Sequence, residues 1–201
     1  CGVNFMGETA KILSPQKKVL VPDTNAGCSL ADSCDAVEFE KFIKANPGHI
    51  VISYANTSAE VKALTDIIVT SSNACQIVNS LPKDQPIIFG PDRNLGGYIN
   101  SLTGRNMKLW DGACIVHEKF SIEKLVELKK QYPQAKVLAH PECKKSLLAL
   151  ADKIGSTKGL LDYAVNSECK QFIVVTESGI LYKMKEACPD KEFIPAPPDD
   201  S

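Results

Sequence analysis

Ala26-Gly27-Cys28-Ser29-Leu30-Ala31 comes back as Gly112-Ala113-Cys114-Ile115-Val116-His117, an offset of 86 from Cys28 to Cys114. The likeness runs on past the cysteines. Phe39 to His49 is patterned as a charged helix and leads into a strand, Ile50-Val51-Ile52-Ser53-Tyr54. Ile122 to Gln131 has the same pattern and leads into Lys136-Val137-Leu138-Ala139-His140. The same offset lays Tyr54 on His140, Asn56 on Glu142 and Ser71 on Thr157. Self-similarity at a fixed period is a signature of architecture, so the repeat governs the reading of everything else.

A second motif supports it. Pro22-Asp23-Thr24-Asn25-Ala26-Gly27 and Pro91-Asp92-Arg93-Asn94-Leu95-Gly96 share Pro-Asp-x-Asn-x-Gly and follow the apolar runs Val19-Leu20-Val21 and Ile87-Ile88-Phe89. Phe172-Ile173-Val174-Val175 with Thr176-Glu177-Ser178-Gly179 is a weaker third version. One full unit therefore reads strand, helix, short strand, helix, strand, polar loop, helix. Residues 29–113 and 114–201 each make such a unit, and residues 1–28 make the second half of another, beginning in a helix with Met6, Ala10, Ile12 and Leu13 on its apolar face. β-branched strands alternating with helices predict an α/β fold of doubly wound parallel sheets, here a pseudo-threefold repeat of αβα domains around a central active site. On this reading the chain is a fragment cut at both ends, and the third counterpart of Cys28 and Cys114 falls just beyond Ser201.

Composition narrows the function. The chain has 201 residues, a net charge of −1, 44% apolar and 23% charged residues. No basic run exceeds a pair, which argues against nucleic acid as a partner. No apolar run approaches the ~20 residues of a membrane span. Cys1 to Met6 shows no basic region followed by an apolar stretch and reads as no signal peptide. The eight cysteines are scattered without a Cys-x-x-Cys pair, which points to a reducing cytosol with most of them as small buried hydrophobes.

In parallel sheets ligands bind beyond the carboxyl ends of the strands. There stand Tyr54, Asn56, His140, Glu142, Ser71 and Thr157. Converging thiolates at Cys28 and Cys114 suit iron–sulfur ligation, and an iron lacking a protein ligand can act as a Lewis acid. Buried thiols at symmetric packing positions explain the same repetition, and zinc lacks companion ligands at its usual spacings. His140-Pro141-Glu142 sets an imidazole and a carboxylate on one face of an extended segment, suited to acid–base work; a satisfied core histidine and a glutamate at a helix start is the plainer reading. Ser71, Ser72, Ser156 and Thr157 suit phosphate or carboxylate, or are ordinary helix caps. Asp23, Asp92 and Glu177 read as turn residues. His117 reads as a surface or supporting histidine and His49 as solvent-exposed.

Taken together, Cys1-Gly2-Val3-Asn4-Phe5-Met6-Gly7-Glu8-Thr9-Ala10, Ala26-Gly27-Cys28-Ser29-Leu30-Ala31-Asp32, Tyr54-Ala55-Asn56-Thr57, Thr70-Ser71-Ser72-Asn73-Ala74, Pro91-Asp92-Arg93-Asn94-Leu95-Gly96, His140-Pro141-Glu142-Cys143 and Gly155-Ser156-Thr157 closely resemble the quinolinate synthase family, iron–sulfur enzymes of NAD biosynthesis. The resemblance covers nearly the whole chain in order. It implies three αβα domains around a [4Fe-4S] cluster. It implies condensation of iminoaspartate with dihydroxyacetone phosphate to quinolinate, phosphate and water, in the cytoplasm, with a functional link to the enzyme that supplies iminoaspartate. It matches Cys28 and Cys114 to cluster ligands. Tyr54, Asn56, Ser71 and Thr157 match substrate-binding positions, and His140 and Glu142 match the binding and acid–base pair. Tyr54 is also implicated in catalysis, and Glu142 is the favoured proton shuttle. Cys143 matches no ligand. The family's upstream substrate-binding strand end and downstream third cluster cysteine are absent from the sequence. The runner-up is a non-catalytic, doubly wound small-molecule-binding module; an enzyme of this fold using zinc or no metal is a further alternative.

Overall fold

A computed structural model describes residues 2–199. Cys1 of the N-terminal motif, and Asp200 and Ser201 at the end of the third predicted repeat, lie outside them. The chain divides into two compact units, Cys1–Cys114 and Ile115–Ser201.

The first unit opens with α1 (Asn4–Leu13), which stops where Pro15 removes the next backbone donor. Its buried residues are Phe5 and Gly7, while Met6, Ile12 and Leu13 are exposed. The expected apolar face is thus not the packed one. What selects the face is the segment lying across it: a Cβ on Gly7 would stand 2.5 Å from Val21 Cγ2. Residues 19–21 are not a strand, contrary to expectation. Apolar β-branched residues become a strand only where a ladder satisfies their amides, and neither sheet pairs with them. There follow α2 (Ser29–Asp32), α3 (Ala36–Lys44), β1 (Ile50–Tyr54), α4 (Ala59–Ala63), β2 (Ile67–Val69), α5 (Ala74–Ser80), β3 (Ile87–Gly90), α6 (Arg93–Thr103) and β4 (Lys108–Leu109). The strands are parallel in the order β2-β1-β3-β4. Alternate residues serve opposite faces: Ile52, Tyr54, Ile87 and Phe89 enter one core cluster, Val51 and Ile88 another with Phe39.

The second unit runs α7 (Ile115–Glu118), α8 (Ile122–Gln131), β5 (Lys136–Ala139), α9 (Lys145–Leu148), β6 (Lys153–Ile154), α10 (Thr157–Asn166), β7 (Gln171–Val175), α11 (Ile180–Ala187) and β8 (Glu192–Pro195). Its sheet is parallel, ordered β6-β5-β7-β8, the same order as the first. Register agrees as well: Ile52 faces Ile67 and Leu138 faces Lys153, each pair displaced by 86.

Side chains repeat with the backbone. Asp66 Oδ2 accepts the Val51 amide at 2.8 Å, and Asp152 Oδ2 accepts that of Val137 at 2.8 Å. Both carboxylates satisfy the first strand's edge where the ladder has not yet begun. Arg105 donates to Val78 O at 3.0 Å, Leu81 O at 2.6 Å and Pro82 O at 2.7 Å, closing the open carbonyls of α5. Lys191, 86 residues on, donates to Ala164 O at 2.6 Å and Ser167 O at 2.5 Å, closing α10. Replacing Arg105 by Met, which keeps the stem but no donor, is expected to cost about 2–3 kcal/mol of stability, the scale of a lost charge-assisted carbonyl cluster. Urea unfolding measures it; an unchanged midpoint would show that water caps α5 equally well.

Candidate active site

β5 pairs with β6 on one edge and β7 on the other. The chain therefore leaves β5 in one direction and returns on the opposite side, and the crevice between the two strand ends is where doubly wound sheets take ligands. His140 is the first residue past β5, and its amide donates to Val175 O at 3.2 Å, extending the ladder by one bond. The backbone then turns, with Cys143 N donating to His140 O at 3.0 Å and Cys143 Sγ to Val175 O at 3.4 Å. Cys143 is fully buried and spends its thiol on this turn.

Four polar side chains meet inside. His117, His140, Glu142 and Thr176 are all 3–5% exposed. His117 Nδ1 stands 3.1 Å from Glu142 Oε2, and His140 Nδ1 3.5 Å from Glu142 Oε1. The two rings stack at 5.0 Å and 27°. His117 Nε2 lies 2.9 Å from Thr176 Oγ1. Burial pushes the pKa of His140 down to about 4, helped by the neighbouring His117 and opposed by Glu142. His140 is thus a neutral imidazole at neutral pH, able to accept or donate a proton without carrying a fixed charge. A carboxylate between two imidazoles, out of water, is a proton-handling arrangement. Glu142 does not sit in the first turn of a helix, since α9 begins at Lys145; helix-dipole stabilisation does not account for its burial. His117, expected at the surface or in support, is buried on Glu142. Thr176 attracted no functional reading at all. Both carried a signal: His117 lies within the returned stretch, and Thr176 directly follows a buried strand.

Ser156 Oγ accepts the Gly159 amide at 3.2 Å and caps α10, leaving Thr157 exposed at the first helical position. Glu177 is an exposed turn residue accepting the Gly179 amide.

The first unit has its own switch between β1 and β3, since β1 pairs with β2 and β3 on its two edges. Tyr54 ends β1, 8% exposed and part of the core. A tight turn follows, with Thr57 Oγ1 donating to Tyr54 O at 3.2 Å; it leaves Asn56 half-buried at the strand end. After β2, the Thr70 amide donates to Asn73 Oδ1 at 2.7 Å, and Ser72 Oγ meets Thr70 Oγ1 at 2.7 Å. Ser72 is thereby committed to the loop, while Ser71 stands half-buried in it.

Asp92 is fully buried, and its two oxygens do separate jobs. Oδ1 accepts the Leu95 amide at 2.7 Å and caps α6; Oδ2 accepts the Cys114 amide at 3.1 Å. Asp92 is more than a turn residue, because it anchors the backbone of Cys114. Asp23 in the sibling motif only closes an exposed turn onto the Asn25 amide. Gly112 is required beside Cys114: a Cβ there would lie 2.5 Å from Pro91 O. Cys28 and Cys114 are half-buried and pack against the same core cluster. Cys34 differs: burial pushes its thiol up to about 12, so it stays protonated. Among the described residues no helix is long and apolar enough to cross a membrane.

The family model described as quinolinate synthetase A protein (NadA) matches residues 1–200. A quinolinate synthase of a Synechococcus species is 60% identical over 200 residues, covering all of this chain and 62% of the relative. Those of a Synechocystis species (61% over 196 residues) and of Nostoc punctiforme (59% over 197) match 98% of the chain and 62% and 61% of their own lengths. The chain thus spans about 62% of the length of the curated relatives it matches.

The cluster sets a pH signature. The His140 ring binds a proton below about 6.5 when unfolded but only below about 4 when folded. Between those values the unfolded chain holds more protons, so stability rises with pH through that window and is lost as pH falls through it. Urea midpoints between pH 4 and 7 should follow this slope, and His140→Gln should flatten it; an unchanged slope in the variant would assign the effect elsewhere.

Proposed function

The chain belongs to the quinolinate synthetase A protein family, and from that premise we propose that the complete protein is a quinolinate synthase. It condenses iminoaspartate with dihydroxyacetone phosphate and releases phosphate and water. The observation that carries the reading within the chain is the buried Glu142 carboxylate between His140 and His117 at the carboxyl end of β5. Condensation, dehydration and tautomerisation all require protons to be taken up and returned at carbon, nitrogen and oxygen. Glu142 serves as the shuttle: it accepts a proton when ionised and delivers it to a leaving hydroxyl. His140, kept neutral by burial, orients substrate and relays to Glu142. Tyr54 offers a phenol hydroxyl at the end of β1. Asn56, Ser71 and Thr157 supply amide and hydroxyl groups for the carboxylates and the phosphate.

The family implies a metal cofactor, and the reading adopted here is a [4Fe-4S] cluster. The donor set fits part of its ligation. Cluster ligands are thiolates in a largely apolar shell; Cys28 and Cys114 are half-buried on one apolar core, whereas Cys34 is held as a thiol. Asp92 and Gly112 set the Cys114 backbone. Cys28 and Cys114 are therefore assigned as two of three protein ligands. When bound, the cluster supplies a Lewis-acidic iron that polarises a substrate oxygen. The same reading takes residues 1–28, 29–113 and 114–201 as parts of a pseudo-threefold protein with one central site. It places the protein in the cytoplasm, paired in metabolism with the enzyme that makes iminoaspartate, and gives it no nucleic-acid or membrane partner.

Anaerobic purification of the protein extended to its natural ends should yield about four irons and four sulfides per chain, and Cys28→Ser or Cys114→Ser should abolish both colour and turnover. Glu142→Gln should keep the iron and lower quinolinate formation about 10²–10⁴-fold. Ligand binding with no iron after reconstitution would favour a binding module, and turnover within a few-fold in Glu142→Gln would remove the shuttle role.

A further inference from the structure

The turn after β1 carries Asn56 between two fixed points. On entry, the Ala55 amide donates to Val69 O at 2.8 Å and prolongs the ladder past Tyr54. On exit, two side chains hold the backbone. Lys62 Nζ donates to Thr57 O, and Glu8 Oε2 accepts the Ala59 amide at 2.9 Å. Those two groups flank Ser58, so the peptide units on both sides of it are pinned. Asn56 is half-buried in the middle of the turn, and the course of this backbone sets where its amide stands.

The repeat makes the exit stand out. At the offset of 86, Thr57 corresponds to Cys143 and Lys62 to Leu148. Leu148 is a buried apolar residue, and Cys143 closes its turn onto Val175 O of its own sheet. The first unit instead has a cation at the equivalent position and fastens its turn by charge.

An ammonium drawn partly out of water needs compensation. Lys62 finds it in Thr57 O, in the face of the Phe5 ring with its centroid at 5.7 Å, and in the charge of Glu8. Burial pulls the Lys62 pKa down, and Glu8 opposes that pull. Phe5 and Glu8 stand three apart on α1, so one face of the helix presents both. α1 is itself fastened elsewhere: Asn4 N donates to Ala26 O at 3.1 Å and Asn4 Nδ2 to Thr24 O at 2.6 Å. Glu8 therefore reaches the turn from a fixed support.

We propose that Glu8 and Lys62 are positioning residues for the loop after β1: Glu8 on the Ala59 amide and Lys62 on the Thr57 carbonyl fix the turn that presents Asn56 to substrate. Tyr54 does not depend on them, because the ladder and the core hold it. A loosened turn must be ordered at the expense of binding. The effect thus falls on affinity through Asn56 and spares the step at Tyr54. Its reach into KM rests on the reading of Asn56 as a substrate-binding residue; the hold on the turn does not.

The test has two readouts on the complete protein. In Glu8→Ala, amide hydrogen exchange over residues 55–59 should quicken about 10–100-fold, the scale of a lost bond to a charged group, with β1 and β3 unchanged. Lys62→Met should quicken the same segment. Glu8→Gln, whose carbonyl can still accept the Ala59 amide, should stay near wild type. In quinolinate formation, Glu8→Ala should raise about 10-fold the KM of the substrate whose KM Asn56→Ala raises, with kcat within about threefold. Glu8→Gln should recover most of that loss. Adding Glu8→Ala to Asn56→Ala should raise KM no further, since no amide is left to place. Unchanged exchange over 55–59 in Glu8→Ala and Lys62→Met overturns the proposal, as does uniform quickening of the whole first unit. So do an unaltered KM in Glu8→Ala where Asn56→Ala alone raises it, and a double variant whose effects add. If Asn56→Ala leaves both KM values unaltered while exchange is as stated, the substrate-binding reading of Asn56 fails and the hold on the turn stands.

Discussion

β1 and β5 are each hydrogen-bonded along both edges by parallel neighbours, and that single constraint arranges the rest. A parallel neighbour cannot be reached by a tight turn, so the chain must cross over through a helix each time. Having filled one edge, it must return to the other. The loops after β1 and β3, and after β5 and β7, then part in opposite directions and leave a crevice between them. Tyr54 and Asp92 stand at one such opening, and His140 and Thr176 at the other. The chemistry of the loops is interchangeable in a way that the ladder is not.

Among the described residues the buried carboxylates are of two kinds. Asp92 is satisfied by two backbone amides, those of Leu95 and Cys114. Those two bonds hold a helix start and a cysteine in register. Glu142 is buried as deeply but faces two imidazoles. Its partners are imidazoles, which can carry a proton on either ring nitrogen. Equal burial with different partners yields a cap in one case and a proton-handling group in the other. The cysteines divide on similar lines: Cys143 and Cys34 are sealed in structure, while Cys28 and Cys114 remain half-buried against one core cluster.

The likeness of the two four-stranded sheets was legible because the physics that produces it is local and periodic. Strand register, edge-capping carboxylates and helix-closing cations all recur at the offset first visible between Cys28 and Cys114. α8 was readable to the residue, since Ser121 caps it and its apolar spacing is regular. Residues 19–21 were misjudged because strand character there depends on a partner, which no apolar triplet can supply for itself. The face of α1 was misjudged for a related reason: proximity to Val21 at Gly7 outweighs the side-chain pattern.

Sequence alone determined the α/β class, the alternation of elements and the positions of Tyr54, His140 and Glu142 at or just past strand ends, because hydrophobic period and turn chemistry act over a few residues. Only the tertiary structure decided that His117 reaches Glu142, that Thr176 backs His117 across 59 positions of chain, and that Asp92 holds Cys114. Each of those contacts joins elements brought together by the sheet, and side chains so far apart in sequence have no local pattern that records their meeting.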